Sequence, residues 1–241
     1  MMSTFTSQLN GIDLVLFHTI NGWCGRNLLL DHVVNRLESS QLKGLFFVGT
    51  FAALWFQRAK AQARRREALI LLMIAIVLSL IVARGFADLL PFRVRPMFTS
   101  GIGYRAPLFV MDSYFENWSA FPSDTATIIF AMTTGFWLVS RWWGIVWAVF
   151  SIIAVLARTY FGLHYPGDVV AGALIGVGVT LAVENEFMRT RIAVPILGLE
   201  QGAPALFYGL LFPFLLEIST LFSFMRGIYR AISQILAGVV K

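Results

Sequence analysis

Apolar residues in this 241-residue chain come in long unbroken runs separated by short charged stretches, not in the alternation of a half-buried strand. Crossing a bilayer as a helix takes about 20 mostly apolar residues, and in lipid only helices and closed barrels satisfy every backbone group. The runs predict helical spans over roughly 41–57, 67–90, 122–140, 142–157 and 167–187, the first of them short for the hydrocarbon thickness. Residues 9–22 (LNGIDLVLFHTING) are too short and polar to span and suit an interfacial helix. A last apolar stretch, 203–224, carries Pro204, Pro213 and Glu217, which leaves its depth open, and 222–240 reads as an amphipathic terminal helix. The expected fold is all-α: a polytopic membrane helix bundle with about five or six spans and amphipathic ends, forming one domain over 1–241 without internal repeats.

Composition strengthens this picture. Hydrophobic residues make up 58% of the chain, charged residues 13%, and the mean hydropathy is +0.74, a balance that places most of the chain in lipid. The net charge of +6 sits in short loops between apolar runs, where it acts as a topology signal and does not point to nucleic acid. Arg58, Lys60, Arg64, Arg65 and Arg66 put their loop in the cytoplasm, so the connections 91–121 and 158–166 face outward. Residues 1–40 lack the basic start and compact apolar stretch of a cleavable signal, and insertion is expected to rely on the internal spans. With only Cys24 and three histidines, neither a disulfide nor a metal site is expected.

Three polar clusters fall at the outward ends of the spans: Arg93-Val94-Arg95-Pro96, Phe121-Pro122-Ser123-Asp124-Thr125, and the stretch from Arg158 through His164 to Asp168. The third has the spacing R-x5-H-x3-D where two apolar helices meet. Four residues of separation let Asp168 reach back to one imidazole nitrogen of His164, leaving the other free to attack phosphorus. Planar guanidiniums suit a phosphoryl group whose charge spreads over several oxygens, and Arg95, Arg158 and Arg93 are candidates for that role. Pro122 and Ser123 open the third span, whose first N–H groups and the Ser123 hydroxyl can cradle an anion.

In this order, the blocks resemble the type 2 phosphatidic acid phosphatase signature, K-x6-R-P, P-S-G-H and S-R-x5-H-x3-D, over roughly 85–175. The resemblance implies that Arg95 and Arg158 bind phosphate, Ser123 hydrogen-bonds it, His164 becomes a phosphohistidine and Asp168 orients His164. The P-S-D variant and the N-terminal LVLFHTIN look more like bacterial undecaprenyl-diphosphate phosphatases of the bacitracin-resistance type. Such a resemblance implies a metal-independent enzyme of the bacterial inner membrane without a cofactor. Its site would face the periplasm or exterior, and its substrate would be a phospholipid or polyprenyl phosphate or diphosphate. A lipid phosphotransferase, or a non-catalytic lipid-phosphate binder or transporter, is the alternative. Oligomeric state is not legible.

Three departures from the signature matter. Asp88 stands for the first-block lysine, Ala157 for the third-block serine and Thr125 for the second-block histidine, which the family pattern makes the proton donor to the leaving group. A missing general acid costs about 10²- to 10⁴-fold when an alkoxide leaves, and less when a phosphate does, which favours a diphosphate substrate. Arg84, four residues before Asp88, either pairs with it on one helical face or replaces the missing lysine's charge. Asp124, Thr125 and Arg84 complete the candidate substrate-binding residues. His18 and His32 read as interfacial or loop histidines; either could supply the acid if the N-terminal helix packs over the site. Trp23, Trp118, Trp142, Trp143 and Trp147 read as interfacial anchors. Gly172 and Gly176 form a small-x3-small pair for close helix packing. Arg105, Asp112 and Glu116 read as solvated charges of the outer loop.

Overall fold

The computed structural model describes residues 2–58, 61–110, 118–224 and 227–228, with side chains from residue 11 onward. Asp112, Glu116 and most of the proposed terminal helix 222–240 lie outside these residues. The chain begins with α1 (Met2–Asn21) and α2 (Leu28–Glu38), followed by α3 (Ser40–Phe56) and α4 (Gln62–Leu89). Next come α5 (Asp124–Val139), α6 (Arg141–Tyr160) and α7 (Pro166–Val183). A short α8 (Glu186–Met188) passes through a π-helical turn at Arg189–Ala193 into α9 (Val194–Gly202), and α10 (Pro204–Ser219) comes last. No strand occurs among the described residues.

The five apolar runs appear as α3 to α7, each within a few residues of its expected position. Three helices, α4, α6 and α7, are long and apolar enough to cross a bilayer by themselves. Helices α5 and α10 are apolar but shorter. The run pattern did not announce α2 or the 186–202 segment, because both mix charged and apolar residues without a continuous run. Asn27 starts α2 by accepting from the N–H groups of Leu29 and Leu30.

Helix α5 lies at the centre, packed on α4, α6 and α7. Around it an aromatic-rich core joins α3, α5, α6 and α10 through Phe47, Phe51, Trp55, Phe136, Trp147 and Phe207, and α4 enters it through Leu69, Leu72 and Ile76. Trp147 is therefore no interfacial anchor: it is fully buried, and its indole N–H donates to the Thr50 hydroxyl at 3.1 Å. Trp23 and Trp142 stay exposed, at 61% and 69%. The charged first turns of α4 are tied to the helices that come after α7, Arg66 to Glu200 at 2.8 Å and Arg64 to Glu186 at 3.2 Å. The other end of the bundle gathers the end of α4, the starts of α5 and α7, and the end of α6.

The contact between α5 and α7 depends on small residues. A Cβ at Gly176 would come within 2.2 Å of the Thr127 carbonyl oxygen, and one at Gly172 within 2.5 Å of the Ser123 carbonyl oxygen. Both obstacles are backbone, so neither yields without the helices separating. Gly176→Ala is expected to cost about 1–3 kcal/mol, as overpacking does, and to lower the thermal unfolding midpoint of detergent-solubilised protein. An unchanged midpoint would show that the two helices part freely.

Candidate active site

The polar end of the bundle is assembled by three loops that hold one another through backbone. Ala120 N–H donates to the Arg93 carbonyl at 2.8 Å, Met97 N–H to the Gly162 carbonyl at 2.9 Å, and Ser123 N–H to the Asp168 carbonyl at 3.0 Å. Gly162 takes φ +68° in the turn between α6 and α7, where a side chain would be strained and would also strike the Tyr104 ring. That turn brings His164 back beneath the end of α6. Ser123 then caps α5, its hydroxyl accepting from Ala126 N–H at 3.4 Å.

His164 is 2% exposed, and its two ring nitrogens have different partners. Nδ1 lies 2.8 Å from the Ala120 carbonyl, which only accepts, so Nδ1 carries the proton. Nε2 is left with a lone pair, facing Arg95 Nη1 at 3.1 Å and Arg158 Nη2 at 3.0 Å. Burial, then Arg158 and Arg95, hold the imidazole well below its ordinary pKa, so its neutral, nucleophilic form is favoured. Arg95 is itself fixed by the carbonyls of Trp118 at 3.1 Å and Leu163 at 2.8 Å. Burial and the neighbouring Arg158 pull its guanidinium down to about 9. Arg158 donates Nη1 to Glu38 at 2.5 Å, while its buried Nε has no hydrogen-bond partner among the described residues. Nε and Nη2 form one edge of the guanidinium, so the edge turned toward His164 has an unused donor. Two cations and an unmet N–H around a basic nitrogen make a site for a tetrahedral oxyanion.

The other expected residues fall into two neighbouring groups. Asp168 does not make the orienting hydrogen bond: its Oδ2 is 3.8 Å from His164 Nδ1, while the Ala120 carbonyl already holds that nitrogen. As the third residue of α7, Asp168 instead accepts from Tyr165 N–H at 2.8 Å and from Arg93. Arg93 turns away from His164, bonding Asp168 and Asp13 of α1 (2.7 Å) over the Tyr165 ring. Arg84 pairs with Asp124 at 3.0 Å, more closely than with Asp88 at 3.8 Å, and lies 4.2 Å over the Trp118 ring. Thr125 is buried in the first turn of α5, beside Ser123.

Residues 68–190 match the PAP2 superfamily. The chain belongs to that superfamily. Every PAP2 block described above lies inside the matched segment. YbjG of Escherichia coli (strain K12), named as a candidate undecaprenyl-diphosphatase, is 33% identical over 52% of this chain and 58% of its own. The bacitracin transport permease protein BcrC of Bacillus licheniformis is 37% identical over 24% of this chain and 29% of its own. The chain thus spans less than two thirds of the length of these relatives. A transmembrane PAP2-type phosphatidylglycerolphosphate phosphatase from Bacillus subtilis, known from a crystal structure, superposes with a TM-score of 0.51 at 18% identity, over 73% of this chain and 85% of that one. That likeness establishes a transmembrane PAP2 fold.

Four residues at this PAP2 site escaped the sequence reading: Asp13, Glu38, Lys43 and Ala120, the last through its carbonyl alone. Lys43 carried a signal, since a lysine at the end of an apolar run that the charge rule would turn outward runs against that rule. Because two cations face His164, removing one should raise its pKa. In histidine-labelled protein monitored by NMR, the His164 ring is expected to stay neutral below the ordinary imidazole value of about 6.5, and Arg95→Gln to move its protonation upward. A ring that titrates normally in both proteins would mean that the guanidiniums do not act on it.

Proposed function

We propose that this PAP2 protein hydrolyses a lipid-linked diphosphate, a polyprenyl diphosphate being the leading candidate, through a phosphohistidine at His164. The observation that carries the reading is the Nε2 lone pair flanked by two guanidiniums, one with an unused buried N–H. A terminal phosphoryl group entering there meets Arg95 and Arg158 on its oxygens and Nε2 at phosphorus. Attack forms the N–P bond as the P–O bond to the lipid monophosphate breaks on the opposite side. Water then hydrolyses the phosphohistidine, releasing inorganic phosphate and returning neutral His164. The phosphoryl charge finds its counter-charge in Arg95 and Arg158, and the proposed scheme needs no metal.

Two features favour a lipid diphosphate. Thr125 cannot protonate an alkoxide, whereas a phosphate leaves as a stable anion. A cavity of about 620 Å³ lies between α4 and α10, with apolar walls from Val77, Leu80, Ile81 and Phe214 and with Arg84, Asp88, Trp118, Asp124 and Glu217 in its polar lining. Its apolar walls suit the hydrocarbon chain of a lipid. YbjG's name points the same way. BcrC's name would favour transport. Turnover in detergent, where no compartments exist, separates the two readings.

The purified protein, without added metal, is expected to release phosphate from undecaprenyl diphosphate faster than from phosphatidic acid. His164→Ala should abolish both reactions. Equal release by wild type and variant would remove the phosphohistidine. Labelled phosphate recovered on a lipid or glycan acceptor would instead identify a transferase.

The reading also puts the protein in the bacterial plasma membrane with this site outward, opposite the cationic loop before α4. Cys24 is buried, so introduced cysteines report alone. An impermeant thiol reagent applied to whole cells is expected to label Ser100→Cys but not Ala63→Cys, and the opposite pattern would invert the orientation.

A further inference from the structure

Arg158 is held from behind by a pair of charges outside the matched PAP2 segment. Glu38, at the end of α2, accepts from Arg158 Nη1 at 2.5 Å on one carboxylate oxygen and from the Lys43 ammonium at 2.5 Å on the other. Lys43, near the start of α3, is 1% exposed, Glu38 16% and Arg158 6%. The Lys43 ammonium also meets the Glu38 backbone carbonyl, so the whole charge of this lysine is spent on one residue. A lysine out of water at this depth costs several kcal/mol unless it is paired, and a simple pair would need only Glu38.

The sum of charges explains the third member. Glu38 alone would neutralise Arg158 and leave its inner edge a poor partner for phosphate. With Lys43 attached, the row of Lys43, Glu38 and Arg158 keeps one net positive charge, delivered on the Nε–Nη2 edge beside His164. The carboxylate meanwhile occupies Nη1, which fixes the plane of the guanidinium and points that edge inward. We propose that Glu38 and Lys43 are positioning residues of the phosphate site, Glu38 aiming Arg158 at His164 and Lys43 preserving the positive charge that Glu38 would otherwise cancel.

The inference rests on the reading of Arg158 as a phosphate-binding residue, and it predicts effects of opposite character for the two residues. Lys43→Met leaves Glu38 to neutralise Arg158. Inorganic phosphate should then bind about tenfold more weakly, and KM for a lipid diphosphate should rise with a smaller change in kcat. Glu38→Gln leaves two cations and no carboxylate between them. Phosphate should bind at least as tightly as in wild type, while kcat falls about tenfold because the guanidinium is no longer aimed. Lys43→Arg, which keeps the charge, should keep wild-type phosphate affinity.

The experiment is phosphate binding by calorimetry on detergent-solubilised full-length protein, with turnover of the diphosphate measured in parallel. A merely structural pair would weaken binding and turnover together in both variants, and that result, or no change in either variant, overturns the proposal. Should Lys43→Met fail to fold, Glu38→Gln decides alone: a loss of phosphate affinity in step with kcat overturns it. Wild type that neither binds phosphate nor turns over would overturn the functional reading itself and this inference with it. Intact wild-type binding and turnover with inert variants overturns only the inference.

Discussion

Two guanidinium groups converge on one imidazole nitrogen in a pocket almost closed to water, and like charges that close persist only where each is held by something else. Arg95 is held by the carbonyls of Trp118 and Leu163, Arg158 by Glu38, and the ring between them by the Ala120 carbonyl. These partners come from the loop before α5, the turn before α7 and the end of α2. No single helix could build the arrangement. The loops must be in register to within hydrogen-bond distance, and the backbone bonds from Ala120 to Arg93, Met97 to Gly162 and Ser123 to Asp168 set that register. The close approach of α5 and α7 at Gly172 and Gly176 then carries the register into the core.

The same constraint explains why other charges in the signature blocks do not point at His164. A third arginine on the imidazole would add like-charge repulsion. Arg93 is drawn instead between Asp168 and Asp13, which also pins α1 to the start of α7 through Gly167 N–H at 2.7 Å. Arg84 is drawn to Asp124, and the Trp118 indole N–H adds a second donor to the same carboxylate oxygen at 3.2 Å. The aspartate in the second block and the one at the first-block lysine position therefore belong to one cluster around Arg84. Asp88 and Asp124 are thus spatially linked, although they lie far apart in sequence.

Much of the fold was legible because span length and apolar continuity are local properties. Helices α3 to α7 track the apolar runs closely. Helix α2 was not legible, since Leu28–Glu38 interleaves Asp31, His32, Arg36 and Glu38 with its apolar residues and one of its faces is covered only in the assembled bundle. At the site, His164, Arg95 and Arg158 were found from spacing and chemistry, and they do meet. Spacing could not reveal the choice among partners. Asp168 stands four residues from His164, yet its place in the first turn of α7 commits one oxygen to Tyr165 N–H and the other to Arg93. The orienting bond went to a backbone carbonyl, which no side-chain pattern announces. Glu38 and Lys43 were missed for a related reason: their meaning depends on Arg158, more than a hundred residues away.

Within the proposed chemistry, the hydrogen-bond pattern also bears on which leaving group the site can serve. Thr125 is no acid, and among the described residues the other two histidines lie elsewhere, His18 beside Gly103 and His32 stacked on Phe109. The carboxylates nearest His164 are engaged as acceptors. Both oxygens of Asp168 accept, as do both oxygens of Glu38, from donors that cannot take a proton in return. An alkoxide that leaves without a proton faces a steep barrier. A phosphate would leave as an anion into a field set by Arg84, Arg95 and Arg158, so the positive charge that binds the substrate also lowers the barrier to its departure. A site that stabilises its leaving group by charge rather than by protonation is suited to cleaving an anhydride.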